Sequence, residues 1–190
     1  MEGAQRRLDI AAENLANLST DGFHTVLARG ALTARGVRIT RERAARAGAL
    51  RHTGAPFDLA IVGAGSFRVR DAVGRVRATR DGSFRRDRFG ALRTASDEVL
   101  LGDRGIVRVP LGAEIGDDGH VRFGGRIVAT IPLAPGSTLR AGWIEGTGVD
   151  APSQMIDILW AQRSFEAAQH AVTAIDRTRR QSATEVGKPA

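Results

Sequence analysis

The stretch Ile158-Leu159-Trp160-Ala161-Gln162-Arg163-Ser164-Phe165-Glu166-Ala167-Ala168-Gln169-His170-Ala171-Val172-Thr173-Ala174-Ile175 decides the reading. Ile158, Ala161, Phe165, Ala168, Val172 and Ile175 recur at spacings of 3, 4, 3, 4 and 3, a heptad seam along one face of a helix. The alanines of the seam let another helix come close, while Asp157, Gln162, Arg163, Glu166 and Gln169 lie off the stripe. Asp150 can cap this helix, and Pro152 suits its first turn, where a missing N–H costs little. Gly187 and Pro189 end any helix that persists so far.

The opposite end of the chain has the same character. Between Arg6 and Leu18, the residues Leu8, Ala11, Leu15 and Leu18 fall at spacings of 3, 4 and 3 on one helical stripe. Ser19-Thr20-Asp21-Gly22 stops that helix, Asp-Gly being a strong turn dipeptide.

Between the two ends the period changes to two. Leu59-Ala60-Ile61-Val62 is a short apolar strand closed by Gly63-Ala64-Gly65, and Phe67 and Val69 alternate with Arg68 and Arg70. Asp71 to Gly74 turns the chain into Arg75-Val76-Arg77-Ala78-Thr79. Asp81-Gly82 and Asp118-Gly119 supply further turns, the first read as the tip of a hairpin flanked by Thr79 and Phe84. Thr33 to Leu50 is rich in Arg and Ala with little periodicity and reads as a connector.

The expected fold is mainly β with α termini: a central antiparallel β domain flanked by N- and C-terminal helices that pair as a coiled coil. The expected divisions are an N-terminal helix and exit turn at 1–23, a connector at 24–52, a β domain at 53–143 and a C-terminal helix at 144–190. A β domain with its own core cannot bury two helical stripes. They must pair with each other, with other chains, or with both.

Composition narrows the function. The 190 residues carry a net charge of +7, which invites a nucleic-acid reading through counterion release. Only Lys188 among the 28 basic residues is a lysine, and the arginines are scattered among acids, which weakens that alternative. With no cysteine there is no disulfide, thiolate metal site or Cys nucleophile. No apolar run approaches the ~18 residues of a membrane span, and the start, Met1 to Arg7, lacks the apolar stretch of a cleavable signal peptide. Direct membrane insertion and signal-driven secretion are therefore not expected.

Nothing points to catalysis or to a cofactor. After Gly63-Ala64-Gly65 the third glycine of a dinucleotide loop is replaced by Arg68, and a strand follows instead of a helix. His24, His52, His120 and His170 have no zinc spacing and read as surface residues. There is no Gly-x-Ser-x-Gly elbow, and Asp117-Asp118 beside glycine is turn chemistry. Catalytic, cofactor-binding and metal-binding residues are all expected to be absent.

Asn14-Leu15-Ala16-Asn17-Leu18-Ser19-Thr20-Asp21-Gly22-Phe23 resembles the N-terminal signature of bacterial flagellar axial proteins, the rod and hook subunits. Thr53 to Phe67, with Asp58, Gly63 and Gly65, looks like the start of their β domain. Thr79 to Phe84, with Arg80, Asp81, Gly82 and Phe84, then Gly90 to Thr94 and Leu100 to Gly102, follow in the family's order. Ile144-Glu145-Gly146-Thr147-Gly148-Val149 resembles the entry to the last helix, and Met155-Ile156 with Gln162, Arg163, Phe165 and Glu166 resembles the helix itself. The proximal- and distal-rod proteins look most similar, with the hook protein a further relative. Glu13, Ser19, Asp21 and Gly148 depart from the family's usual residues, and the chain looks shortened around Thr138 to Gly142.

The resemblance implies a structural, self-assembling subunit of the flagellar basal-body rod, acting in motility. Such subunits leave the cell through the flagellar type III export apparatus without a cleaved signal. Their terminal helices line a hollow, torque-transmitting shaft across the periplasm. The implied partners are copies of this chain and other axial rod and hook proteins, with no nucleic acid. The assembly residues would be Leu8, Ala11, Leu15 and Leu18 against Ile158, Ala161, Phe165, Ala168, Val172 and Ile175.

Overall fold

The computed structural model describes residues 2–33, 36–44 and 47–186, arranged in two compact units. The first unit gathers the chain up to Leu18, Thr25–Ala44 and everything from Val149 onward; the second holds Ser19–His24 and Ala45–Gly148. Gly187 and Pro189, read as helix stops, lie outside the described residues.

In the first unit, α1 (Glu2–Ala16) is followed by two eight-residue strands, β1 (Val26–Thr33) and β2 (Gly36–Arg43). They pair antiparallel from Val26 opposite Arg43 to Thr33 opposite Gly36. This ribbon occupies much of what the sequence suggested was a connector at 24–52. Val26 and Ile39 share one of its faces and are buried. The ribbon lies against α1, with Arg6 Nη1 donating to the Ile39 carbonyl at 3.4 Å.

Helix α2 (Ala151–Val186) runs antiparallel to α1: Asn14 meets Gln154 near one end, while Ala4 and Leu8 border the same small cleft as Ala161 and Phe165 near the other. Asp150 sits just before α2; its carbonyl accepts the first helical bond, from the Gln154 N–H at 3.1 Å, which puts it at the cap position, and its side chain accepts from the Ser153 hydroxyl. The helices differ greatly in length, 15 residues against 36. From Ala168 to Val186, α2 continues for roughly 27 Å at 1.5 Å per residue, beyond the stretch that α1 reaches.

The second unit is entirely β. Its strands are β3 (Leu50–His52), β4 (Leu59–Val62), β5 (Phe67–Arg70), β6 (Val76–Thr79), β7 (Arg85–Arg86), β8 (Leu92–Arg93), β9 (Val99–Gly102), β10 (Gly105–Ile106), β11 (Glu114–Ile115), β12 (His120–Phe123), β13 (Arg126–Thr130), β14 (Thr138–Ala141) and β15 (Trp143–Glu145). The main sheet has the order β6-β5-β9-β8-β7 with β10 on β9; β11-β12-β13 forms a second sheet, and β14-β4 and β15-β3 are antiparallel pairs. Leu59, Ile61, Phe67, Val69, Phe84, Leu92, Leu100, Val107, Val109, Val121, Ile131 and Leu139 form one buried cluster. Phe67 and Phe84 meet edge to face at 5.2 Å. The alternation read along β5 is therefore the pattern of a half-buried strand, with Phe67 and Val69 inward, whereas Leu59, Ala60 and Ile61 of the apolar β4 are all buried.

One turn assignment fails. β6 and β7 lie at opposite edges of the main sheet, so Asp81-Gly82 is not the tip of a hairpin but part of a crossing between them. The reason is a close backbone approach: a Cβ on Gly82 would fall 1.6 Å from the Leu59 carbonyl oxygen. The bare glycine lets Leu59 N–H donate to the Gly82 carbonyl at 2.9 Å, and Ser83 bridges to Asp58. The segment Thr138–Ala141, where the chain looks shortened, still pairs along the whole of β4.

Candidate functional site

Two polar constellations and one apolar seam collect most of the residues singled out in the sequence. The first constellation is in the second unit, around Glu145. Its side chain is 1% exposed. Oε2 accepts from Arg80 Nε at 2.8 Å, while Oε1 lies 2.8 Å from His24 Nε2 and accepts from the Gly48 N–H at 3.1 Å. Arg80 spends its other donors on β4 and the turn after it, giving Nη1 to the carbonyls of Gly63 at 3.0 Å and Gly65 at 2.8 Å and Nη2 to that of Ile61 at 3.3 Å. A buried carboxylate is tolerable only with such a full set of partners.

The exit loop Ser19–His24 is held to the same place by its backbone. Gly22 N–H donates to the Glu145 carbonyl at 2.6 Å, and Gly148 N–H donates to the Phe23 carbonyl at 2.8 Å. Gly22 has a φ of +67°, and a Cβ there would lie 2.2 Å from the Arg80 carbonyl carbon. Asp81 completes the loop by accepting from Ser83 N–H at 3.0 Å and Oγ at 2.6 Å. Asp58 accepts at its carbonyl from Gly142 N–H, and Gly146 N–H donates to the Ala49 carbonyl. Gly22, Phe23, Gly63, Gly65, Arg80, Glu145 and their neighbours thus form a latch joining four separate stretches of sequence.

His24 is a finding against the surface reading of the histidines, since it is half-buried on Glu145. His120 is also half-buried and contacts Thr130 Oγ1 at 3.0 Å through Nδ1. His52 is exposed but tilts against the ring of Trp143 at 4.9 Å, and His170 is exposed on α2.

The second constellation is Asn14, in the first unit. Its Oδ1 accepts from the Val26 N–H and its Nδ2 donates to the Val26 carbonyl, both at 2.8 Å, so the amide imitates a neighbouring strand. The second hydrogen on Nδ2 goes to Gln154 Oε1 at 2.7 Å. Asn14 is buried, so it ties together α1, the start of β1 and α2. Asn17 instead donates to the Glu13 carbonyl in the last turn of α1.

The apolar seam is only partly covered. On α1, Ala11 is buried together with Ile10, whereas Leu8 and Leu15 are half-buried and Leu18 is exposed beyond the helix end. On α2, Ala161 is buried and Ile158, Phe165 and Ala168 are half-buried, but Val172 is 48% and Ile175 53% exposed. Gln162, Arg163 and Glu166 face solvent. The face that α1 hides is thus turned toward Ile10 and Asn14 because the β1–β2 ribbon packs there too. A period-two signal for that ribbon exists at Val37 and Ile39, between Arg38 and Thr40.

Part of the positive charge is answered within the chain, with Arg29, Arg41, Arg77, Arg80, Arg93 and Arg122 all paired with carboxylates. Arginine hydrogen bonds hold the carboxyls of Asp71, Asp87, Glu98 and Asp118 below their usual range, Arg77 acting on Glu98 and Arg122 on Asp118. Among the described residues no group of three or more His, Asp or Glu side chains could hold a metal ion, and no helix is long and apolar enough to cross a membrane.

Comparison with known proteins fits this geometry. Residues 1–24 match the family described as flagella basal body rod protein, and residues 140–185 match the flagellar basal body rod FlgEFG protein C-terminal family. The chain is a relative of the flagellar basal-body rod proteins. It is 26% identical over 219 residues to the rod protein FlgF of Escherichia coli, covering 88% of this chain and 87% of the relative. It is 24% identical over 241 residues to FlgG of Buchnera aphidicola subsp. Acyrthosiphon pisum, covering 93% of each. FlgF of Caulobacter vibrioides is 36% identical over 147 residues, covering 68% of this chain and 60% of that protein. These relatives are structural flagellar rod proteins, not enzymes. Alignments of 219 and 241 positions against 190 residues must open gaps in this chain, so the relatives carry segments that it lacks.

Proposed function

We propose that the chain polymerises through its terminal helices into the hollow, torque-transmitting shaft of the flagellar rod. The supporting observation is the mismatch between the helices: α1 stops covering the α2 seam near Ala168, yet the heptad continues through Val172 and Ile175 into solvent. Burying each such large side chain contributes roughly 1.5–3 kcal/mol, a gain open to this surface only on association.

In this reading Leu8, Ala11, Leu15 and Leu18 work with Ile158, Ala161, Phe165, Ala168, Val172 and Ile175 in coiled-coil geometry, within a subunit and between neighbours. The segments 1–23 and 144–190 are the axial-core parts in this reading, and 53–143 is its β domain. Copies of this chain and other axial proteins are the partners, the type III apparatus exports it without a cleaved signal, and the periplasm-spanning rod is its location. Internal pairing of several arginines, and their scatter among acids, weigh against a polyanion as the principal ligand.

The test is co-purification with hook–basal bodies from a flagellated host producing the chain. The parent is expected in that fraction and Phe165→Asp outside it. Equal incorporation of Phe165→Asp would refute the seam, and absence of the parent would refute the rod assignment.

A further inference from the structure

Beside the α1–α2 contact the first unit holds a groove of about 760 Å³. Ile10, Ala11, Val26 and Ala161 supply buried apolar lining, and Leu27 and Trp160 border it at 41% and 67% exposure. An exposed tryptophan beside an apolar floor is the composition of an association anchor. We infer that this groove receives the distal half of α2, at Ala168, Val172 and Ile175, from a second copy of the chain. The inference rests on the self-assembly reading and specifies which surface meets which.

Three observations choose the occupant. The seam on α2 continues without a break from the part covered by α1 into the uncovered part, so the contact extends an interface already present. Anchors at i, i+4 and i+7 are how an amphipathic helix lies in an apolar groove. The tail cannot fill the groove of its own molecule: Gln154, Asp157, Trp160, Ala161 and Ser164 line it, and the same helix runs on unbroken from Ser164 past Ile175, carrying the tail away. Tail and groove are different patches, so the contact is heterologous and can repeat head to tail, giving an open helical chain where the rotation does not close.

The absence of native cysteine makes disulfide trapping clean. Leu27→Cys and Ile175→Cys both alter exposed side chains. The full-length double variant, oxidised at assembling concentrations, should give a ladder of cross-linked species extending beyond dimers, while each single variant stops at dimers. Trp160→Glu should raise the concentration needed for assembly at least tenfold with an unchanged monomer circular dichroism spectrum. If the double variant assembles as the parent does but cross-links no further than the single variants, or if Trp160→Glu assembles like the parent, the groove is wrong and self-assembly stands. If the parent fails to assemble at any concentration, the self-assembly reading falls and the groove with it.

Discussion

Arg80 and Glu145, 65 residues apart, meet at 2.8 Å with the carboxylate wholly withdrawn from solvent. Removing one member of such a pair leaves the other as a buried charge without its ionic counterpart, a cost of about 3–5 kcal/mol. Arg80→Ala should therefore lower the unfolding free energy of the β unit by that amount, read as a lower denaturant midpoint, as should Glu145→Ala. Arg122→Ala, at an exposed pair, should leave the midpoint almost unmoved. Equal midpoints for Arg80→Ala and Arg122→Ala would show that burial gives the Arg80 pair no special weight.

Asn14 tests a different point, the need for both a donor and an acceptor. Asn14→Asp keeps the oxygen facing Val26 N–H but loses both donated bonds and sets a carboxylate against Gln154. Each buried group left unsatisfied costs about 1–3 kcal/mol. The expected result is destabilisation of the first unit at neutral pH together with faster hydrogen exchange in α1 and β1. Gln154→Ala, which removes only one of the three bonds, should do less harm.

Gly22 combines a left-handed backbone with a Cβ position already occupied by the Arg80 main chain. The backbone conformation alone costs an L-residue about 1–2 kcal/mol, and the clash adds to it. Gly22→Ala should destabilise by more than 2 kcal/mol by that reckoning, and Gly22→Val should additionally impair assembly and motility. Thermal unfolding and a swimming assay check the two parts separately.

Acid should weaken the fold. Glu98 lies below its ordinary pKa of 4.5, chiefly through the hydrogen bond from Arg77, and Asp71, Asp87 and Asp118 are lowered likewise by Arg75, Arg93 and Arg122. A depressed folded-state pKa means that the unfolded chain binds protons first. The contribution is complete above the unfolded value and is lost as pH falls through the folded one. Stability should thus decline as pH drops below about 4.5, the reference value for Glu98, and Glu98→Gln should make that decline shallower. Unfolding curves recorded across this range supply the check.

The strands and their partners were unequally readable. Phe67 and Val69 revealed β5 because a half-buried strand imposes period two on its own residues, and Ile158 to Phe165 revealed α2 through the heptad. The Arg80–Glu145 pair left no local periodicity, since its members owe their positions to a fold that brings distant segments together. Asp81-Gly82 misled because its turn chemistry says only that the chain bends; the strand that follows is chosen by the packing of Gly82 on Leu59. The β1–β2 ribbon was obscured by its arginines: Arg41 and Arg43 share a face with Val26 and Ile39, so among the described residues that face carries charge beside its buried apolar markers. The resemblance to rod proteins identified Asn14, Gly22, Arg80 and Glu145, while the geometry supplied the reasons for them.

The binding of Gly22 and Phe23 to the chain around Glu145 has a mechanical consequence. Tension applied to the first residues runs along the backbone into Ser19–His24 and loads the Gly22-to-Glu145 and Gly148-to-Phe23 hydrogen bonds before it can load any strand of the main sheet. Threading the polypeptide through a narrow conduit amino end first would thus pry open the β unit at its fastening, while the same force applied inside the sheet would have to shear whole strands.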